Sequence, residues 1–313
     1  MEYRNFGAAG VKISPICMGT VFRGNPDDDT CRATIERAID LGVNFIDCAN
    51  TYQRGRSERI VGGVIKGQRD QLVLTTKVCE PVGEGVNDRG LSRVHILREI
   101  DKSLSRLGTD YIDIYLLHHP DPTTPMEETL EALNDIVRQG KVRYIGCCNF
   151  AAWQVCKALW ISDCQNLAPF ICVQNSYNLL NRSLDSEMIP FCRSEGLGIM
   201  TYSPLAVGLL SGRFRPGEPP PSDTFWGQRP DRFEEMMSPA VSCVVETLFR
   251  IASARGKTPA QIAIAWLLSH PEVSAVIMGP DSPEHVAENI GGTGWELTAD
   301  ERETLDKVSD PAE

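Results

Sequence analysis

Short apolar runs alternate with longer amphipathic stretches along almost the whole chain. The short apolar runs predict strands, and stretches with apolar positions three and four apart predict helices. SPICMGT (14–20) reads as a strand, and DDTCRATIERAIDLG (28–42) as a helix stopped by Gly42. NFID (44–47), QLVLTTK (71–77), DIYLLHH (113–119), VRYIGCCN (142–149), FICVQN (170–175), GLGIMTYS (196–203) and VSAVIMG (273–279) read as further strands. Helical patterns fall between them at 57–67, 92–108, 125–140, 151–162, 184–195, 258–270 and 282–290, with Ser92 as the N-cap of the second.

Strands that alternate with helices pair in parallel, because a crossover helix returns the chain to the same end of the sheet. Eight such units predict an α/β fold of the (β/α)8 TIM-barrel type, with residues 1–313 as one barrel domain. YRNFGAAGVKI (3–13) adds a small N-terminal β-hairpin. No G-x-G-x-x-G follows the first strand, which argues against an open dinucleotide-binding sheet. The long departure from the repeat is SGRFRPGEPPPSDTFWGQRPDRFEEMM (211–237), after strand seven. Pro219, Pro220 and Pro221 exclude helix and ladder there. It reads either as a disordered surface insertion or as a loop that closes over a ligand at the C-terminal face.

Composition narrows the function classes. Hydrophobic content of 42% and charged content of 23% are those of an ordinary globular chain. A net charge of −11 disfavours nucleic acid and anionic membrane as partners. No apolar run is long enough to span a bilayer, and the amino end lacks a signal-peptide core. The 11 cysteines are odd in number and form no C-x-x-C, which points to reduced thiols in the cytoplasm.

Chemistry in barrels sits at the C-terminal ends of the strands. Strand two ends in Asp47 with Tyr52 just beyond, strand three in Lys77, and strand four in His118 and His119. Strand five ends in Cys148 and Asn149, strand six in Gln174 and Asn175, and strand seven in Tyr202 and Ser203. Each alone has a plain reading: a turn or helix cap for Asp47, a solvated strand end for Lys77, a turn residue for His118, packing for Tyr52. Together they supply what carbonyl reduction needs. A phenol can give a proton, an ammonium beside it favours the phenolate and lowers its pKa, a carboxylate holds the ammonium, and an imidazole orients the substrate oxygen.

FIDCANTY with GRSE, LTTK, GLSRVHILREIDKSLSRLGTDYIDIYLLHHPDP, PMEETLEALNDIVRQGKVRYIG and YSPLAVGLLSGR run in the order and spacing of a known family. From 14–20 to about residue 310 the chain resembles the aldo-keto reductases, in the bacterial branch related to the potassium-channel β-subunits. The resemblance implies a catalytic tetrad of Asp47, Tyr52, Lys77 and His118, with Tyr52 as general acid in reduction and base in oxidation. It implies a nicotinamide cofactor contacted by Thr20, Cys148, Asn149, Gln174, Tyr202, Ser203, Leu205, Gly208, Ser211 and Arg213, and by Gly279, Asp281, His285, Glu288 and Asn289 near the adenosine. Phe22, His119, Phe150 and Trp226 are the expected substrate walls.

Two positions depart from the family pattern. Cys148 stands where a serine is frequent, and a thiol is the weaker donor for a carboxamide. Asp281 stands near the adenosine 2′ position, where it would repel a phosphate but accept from a free hydroxyl; a helix cap is the alternative for it. The family favours NADP(H) and these residues pull toward NAD(H), leaving NADP(H) slightly ahead. The expected partner is a small carbonyl or alcohol substrate, with a homo-oligomer left open. Two other readings compete: a cofactor-binding regulatory subunit similar to the channel β-subunits, and a metal-dependent hydrolase using His118, His119 and Asp121. The second is poor, because His95, His270 and His285 fall on helices or their edges and no metal site is expected.

Overall fold

The computed structural model describes residues 1–24 and 26–310. Strands β1 (Arg4–Phe6) and β2 (Ala9–Ile13) pair antiparallel as the N-terminal hairpin. Eight parallel strands then close a barrel: β3 (Ile16–Gly19), β4 (Phe45–Asp47), β5 (Val73–Val78), β6 (Ile112–Leu117), β7 (Val142–Cys148), β8 (Phe170–Ser176), β9 (Gly198–Tyr202) and β10 (Val273–Met278). They neighbour one another in chain order, and β10 returns to pair with β3.

The surrounding helices start and stop where local chemistry dictates. In α1 (Asp28–Asp40) the Asp27 side chain accepts the Thr30 N–H, and acidic Asp28 and Asp29 occupy the first turn against the helix dipole. In α3 (Arg93–Leu107) Ser92 caps the start, and Gly108 ends the helix in the left-handed conformation. The helices α2 (Arg56–Ile65), α4 (Met126–Arg138), α5 (Ala152–Gln165), α6 (Met188–Glu195), α9 (Pro259–Leu268) and α10 (Pro283–Ile290) match the sequence pattern within a few residues. The largest shift is α6, which begins four residues later than 184. Upstream of it, Asn178 and Asn181 bond back to back in a turn, and Asp185 is held by Tyr177 and Arg182.

Three helices lie outside the predicted set. The segment after β9 carries α7 (Pro230–Met236) and α8 (Pro239–Arg255), and α11 (Ala299–Val308) follows α10. The 211–237 segment is folded on a small core in which its own Phe214, Trp226 and Phe233 are buried against Leu209 just before it. The disordered alternative for this segment is therefore overturned: three large apolar side chains buried in one stretch offset the ordering of the chain between them.

Alternate strand residues fill the barrel interior, among them Cys17, Phe45, Val73, Ile114, Leu116, Cys148, Cys172 and Met200, while their neighbours face the helices. The hairpin plugs the N-terminal end. Phe6 is fully buried, with its ring edge-on to Phe45 at 5.5 Å. Gly198 makes room for it, since a Cβ there would lie 2.3 Å from the Phe6 ring. With one end sealed by apolar packing, polar side chains can gather only at the C-terminal rim. Phe6→Ala should therefore lower unfolding stability by roughly 3–5 kcal/mol, read as a reduced urea midpoint; an unchanged midpoint would mean the hairpin is not part of the core.

Candidate active site

The register of β4 against β5 builds the site. Asp47 pairs with Thr75 across that ladder, and Lys77 lies one same-face step farther toward the rim. The Lys77 ammonium reaches back to both carboxylate oxygens of Asp47, at 2.8 and 2.7 Å. It also donates to the Cys48 carbonyl at 2.9 Å and to the Tyr52 hydroxyl at 3.0 Å. Lys77 is 0% and Asp47 2% exposed, so this ion pair is out of water. Asp47 accepts two more hydrogen bonds, from the Thr75 hydroxyl at 2.7 Å and the Gln174 amide at 2.9 Å. Burial pulls the Lys77 pKa down, but Asp47 and Tyr52 more than offset it, and the ammonium titrates above the ordinary lysine range.

Tyr52 is brought over the rim by a tight turn. Gln53, Arg54 and Gly55 take left-handed backbone angles in succession, with φ of 48°, 55° and 79°. Glycine suits position 55, where a Cβ would be strained by the positive φ and would meet the Arg106 side chain at 2.8 Å. The Gln53 amide ties the turn to the Val21 and Phe22 carbonyls, at 3.3 and 3.1 Å. The phenol pKa corrects the sequence expectation of a lowered value. Burial raises it more than Lys77 lowers it, Asp47 raises it again, and it is pushed up to about 12.

His118 stands edge-on to the Tyr52 ring, with centroids 5.9 Å apart, and stacks on His119 at 5.2 Å. Burial, then Lys77 and His119, lower its pKa to about 3, so the imidazole is neutral at physiological pH. Its Nδ1 is buried with no hydrogen-bond partner among the described residues. His119 is half exposed and its Nε2 lies 3.2 Å from Glu80.

The other expected residues divide into groups. Asn149, left-handed at φ 61°, donates to the His118 carbonyl at 2.9 Å and accepts from the Tyr202 hydroxyl at 2.8 Å. With Gln174 these three side chains sit together beside the tetrad. Thr20 is buried behind Asp47, its hydroxyl 2.9 Å from the Asp47 carbonyl and 2.6 Å from Ser57. Cys148 is buried inside the barrel among Cys172 and Met200, and burial drives its thiol pKa far up, so a reactive thiolate does not form there. Phe22 and Phe150 are buried in the main core, and Trp226 in the small core of the long loop, with its indole N–H on the Val207 carbonyl at 3.0 Å. All three rings are largely buried.

The turn after β9 has left-handed angles at Ser203, Ala206, Val207 and Gly208. Among the described residues, the N–H groups of Leu205, Val207 and Gly208 find no acceptor. Ser211 accepts the Arg213 N–H at 3.2 Å, and the Arg213 guanidinium pairs with Asp223 at 2.6 Å, both exposed. Near β10, Asp281 does not cap α10. Ser282 does, accepting the His285 N–H, while both Asp281 oxygens accept the Gly24 N–H at 3.2 Å across the β3–α1 loop. Gly279 has open space where a Cβ would stand, His285 is exposed, Asn289 is buried, and the Glu288 carbonyl accepts from Gln261.

Three supports of the tetrad were missed in the sequence. Thr75 shares a face with Lys77 by the two-residue period, so strand patterning could have found it. The Cys48 carbonyl is a main-chain group with no sequence signal. Asn50, two residues before Tyr52, donates to buried Glu99 of α3 at 3.3 Å, a pairing 49 residues apart that only the fold reveals. A surface hollow bounded by Leu104, Gly108, Asp110 and Lys141 lies at the strands' N-terminal end, away from this chemistry.

A family model described as the aldo/keto reductase family matches residues 15–310. A protein named probable voltage-gated potassium channel subunit beta from Oryza sativa subsp. japonica is 36% identical over 303 residues, covering 93% of this chain and 90% of that protein. An uncharacterized oxidoreductase, YrpG, from Bacillus subtilis is 36% identical over 302 residues with the same coverage. A probable voltage-gated potassium channel subunit beta from Arabidopsis thaliana is 35% identical over 303 residues. Matched over nearly its whole length, and with a closed parallel barrel carrying this cluster at its rim, the chain belongs to the aldo/keto reductase family.

Proposed function

We propose that the protein is an NAD(P)-dependent reductase of aldehyde, ketone or sugar carbonyls, with Tyr52 as its acid and base. The carrying observation is the Lys77 ammonium, 3.0 Å from the Tyr52 hydroxyl and fixed from behind by buried Asp47. A carbonyl oxygen lying between Tyr52 and His118 would take the phenolic proton, and the phenolate left behind would be paired with Lys77 at once. His118, being neutral, keeps a ring N–H to aim that oxygen without adding a second cation beside Lys77. A resting phenol pKa of about 12 keeps the proton on Tyr52 at neutral pH, the state that reduction needs. Asp47 loses no proton in this scheme. It accepts four hydrogen bonds: two from the ammonium, which it holds in place, and two from Thr75 and Gln174, which hold it.

The donor set fits a nicotinamide dinucleotide. Asn149 and Gln174 offer carboxamide partners beside the tetrad, and Tyr202 an aromatic face. The unpaired N–H groups of Leu205, Val207 and Gly208 suit a pyrophosphate. When bound, the cofactor supplies the hydride that this chain's side chains cannot. Cys148, paired with Gln174 across the β7–β8 ladder, stays a weaker expected carboxamide contact. NADP(H), the family preference, remains slightly ahead of NAD(H), and Asp281 supports the latter.

A second reading, a cofactor-binding regulatory subunit with little turnover, rests on the names of the two plant relatives. Titration with NADPH and NADH, followed by a panel of carbonyl substrates, separates the two. Binding with turnover is expected. Binding without turnover on any carbonyl would favour the regulatory reading, and binding of neither below about millimolar would end both.

Tyr52→Phe should lower kcat by at least about a hundredfold with cofactor affinity nearly unchanged; retained activity would remove Tyr52 from the chemistry. Histidine-labelled NMR should show the His118 ring neutral from pH 8 down to about 5. Because its folded pKa lies below the unfolded value near 6.5, its contribution to stability is full above that pH and is lost as pH falls toward 3. A His118 midpoint near 6.5 contradicts this electrostatic account. Asp281→Arg should raise NADPH affinity relative to NADH, and an unchanged ratio would mean that Asp281 acts only as a tie to Gly24.

A further inference from the structure

A buried polar layer lies between the barrel and helices α2 and α3, and the chemistry proposed for the rim leaves it unused. Glu58 of α2 and Glu99 of α3 are fully buried carboxylates among side chains that are mostly apolar. Thr76 of β5, Ser103 of α3 and Tyr115 of β6 are buried with them, and Tyr115 lies close enough to feel both carboxylates. The Tyr115 hydroxyl and Asn50 Oδ1 have no hydrogen-bond partner among the described residues. Apolar residues of similar volume would cost the fold less than buried carboxylates do, so stability alone does not account for this layer.

Its contacts converge on the loop that carries Tyr52. At the start of that loop, buried Asn50 donates to the Glu99 carboxylate at 3.3 Å. At its end, Gly55 lies against the Arg106 side chain, which donates to Glu58 and to the Ser103 hydroxyl. Glu58 also accepts the Thr76 hydroxyl at 2.6 Å, and Thr76 is the neighbour of Lys77 on β5. Glu99, Ser103 and Arg106 are spaced by four and three residues, so they form one stripe of α3. A single helix face therefore holds both ends of the loop from Asn50 to Gly55. The loop needs holding, because Gln53 and Arg54 take left-handed angles that cost energy in residues other than glycine. Glu99 is fixed in turn by the Lys102 ammonium at 2.8 Å.

We propose that Asn50 and Glu99 are positioning residues for Tyr52, their hydrogen bond anchoring the loop to α3 so that the phenol stands beside Lys77. The role rests on the reading of Tyr52 as acid and base. It concerns where the hydroxyl stands rather than whether the barrel folds.

NMR of protein labelled at the tyrosine ζ-carbon reads that position without turnover, with the Tyr52 signal assigned through Tyr52→Phe. Glu99→Met removes the acceptor at similar volume. It should shift or broaden the Tyr52 signal and lower kcat by roughly tenfold or more, since small misplacements of a reacting group are costly. NADPH affinity should stay within about twofold, and the urea midpoint should be unchanged or raised. Glu99→Gln keeps an acceptor for Asn50 and should keep the wild-type Tyr52 signal and most of the turnover. Asn50→Ala, which leaves Glu99 paired with Lys102, should reproduce the Glu99→Met signature. The double variant should lose no more than the larger single loss, because both remove one bond. A wild-type Tyr52 signal in Glu99→Met and Asn50→Ala overturns the proposal. So do losses that add in the double variant, or a loss that Glu99→Gln shares in full. A wild-type protein that binds NADPH yet turns over no carbonyl would end the reading of Tyr52 as acid, and the Tyr52 signal would still decide whether Asn50 and Glu99 place the phenol.

Discussion

Everything at the rim depends on one buried ion pair. Lys77 and Asp47 are out of water, and an ion in that position costs several kcal/mol unless its partners are excellent. Here they are: the ammonium has Asp47, the Cys48 carbonyl and the Tyr52 hydroxyl, and the carboxylate has Lys77, Thr75 and Gln174. Removing either charge would strand the other, a loss of roughly 3–5 kcal/mol. An apolar pair of the same volume would cost the fold less. The arrangement is best understood as a positioned charge for the phenol beside it.

That pair also explains why the electrostatics of the neighbours diverge. Tyr52 and His118 share one low-dielectric corner with the same ammonium. Burial pushes both toward their neutral forms, the phenol up to about 12 and the imidazole down to about 3. Lys77 opposes burial at the phenol and reinforces it at the imidazole, because it favours a nearby anion and disfavours a nearby cation. The result is two neutral hydrogen-bond donors facing one space. The tight turn through Gln53, Arg54 and Gly55, tied to the Val21 and Phe22 carbonyls, holds the phenol in that geometry.

The loops around the rim are tied down by contacts of different depth. The long segment after β9 has its own buried core, whereas Arg213–Asp223 and Asp281–Gly24 are exposed ties that water screens. A dinucleotide could displace the shallow contacts at little cost while the core of the loop persists.

Apolar periodicity determined the barrel itself. Eight strands and most helices follow from local spacing and caps, because a strand buried on both faces leaves a continuous apolar run and a helix with one buried stripe leaves its period in the chain. Helix α8 escaped notice because it follows directly on a proline-rich, charged segment, and the order in that segment comes from Phe214, Trp226 and Phe233 meeting across the loop. The tetrad was legible as polar residues at strand ends in a family order. Its energetics were not: burial reversed the expected shift of Tyr52, and Ser282 took the helix-capping place considered for Asp281. Residue type and spacing determine which groups can reach the rim. Only the closed barrel decides how much water each one keeps and which partner it meets, because desolvation and long-range hydrogen bonds arise from contacts that adjacent residues do not encode.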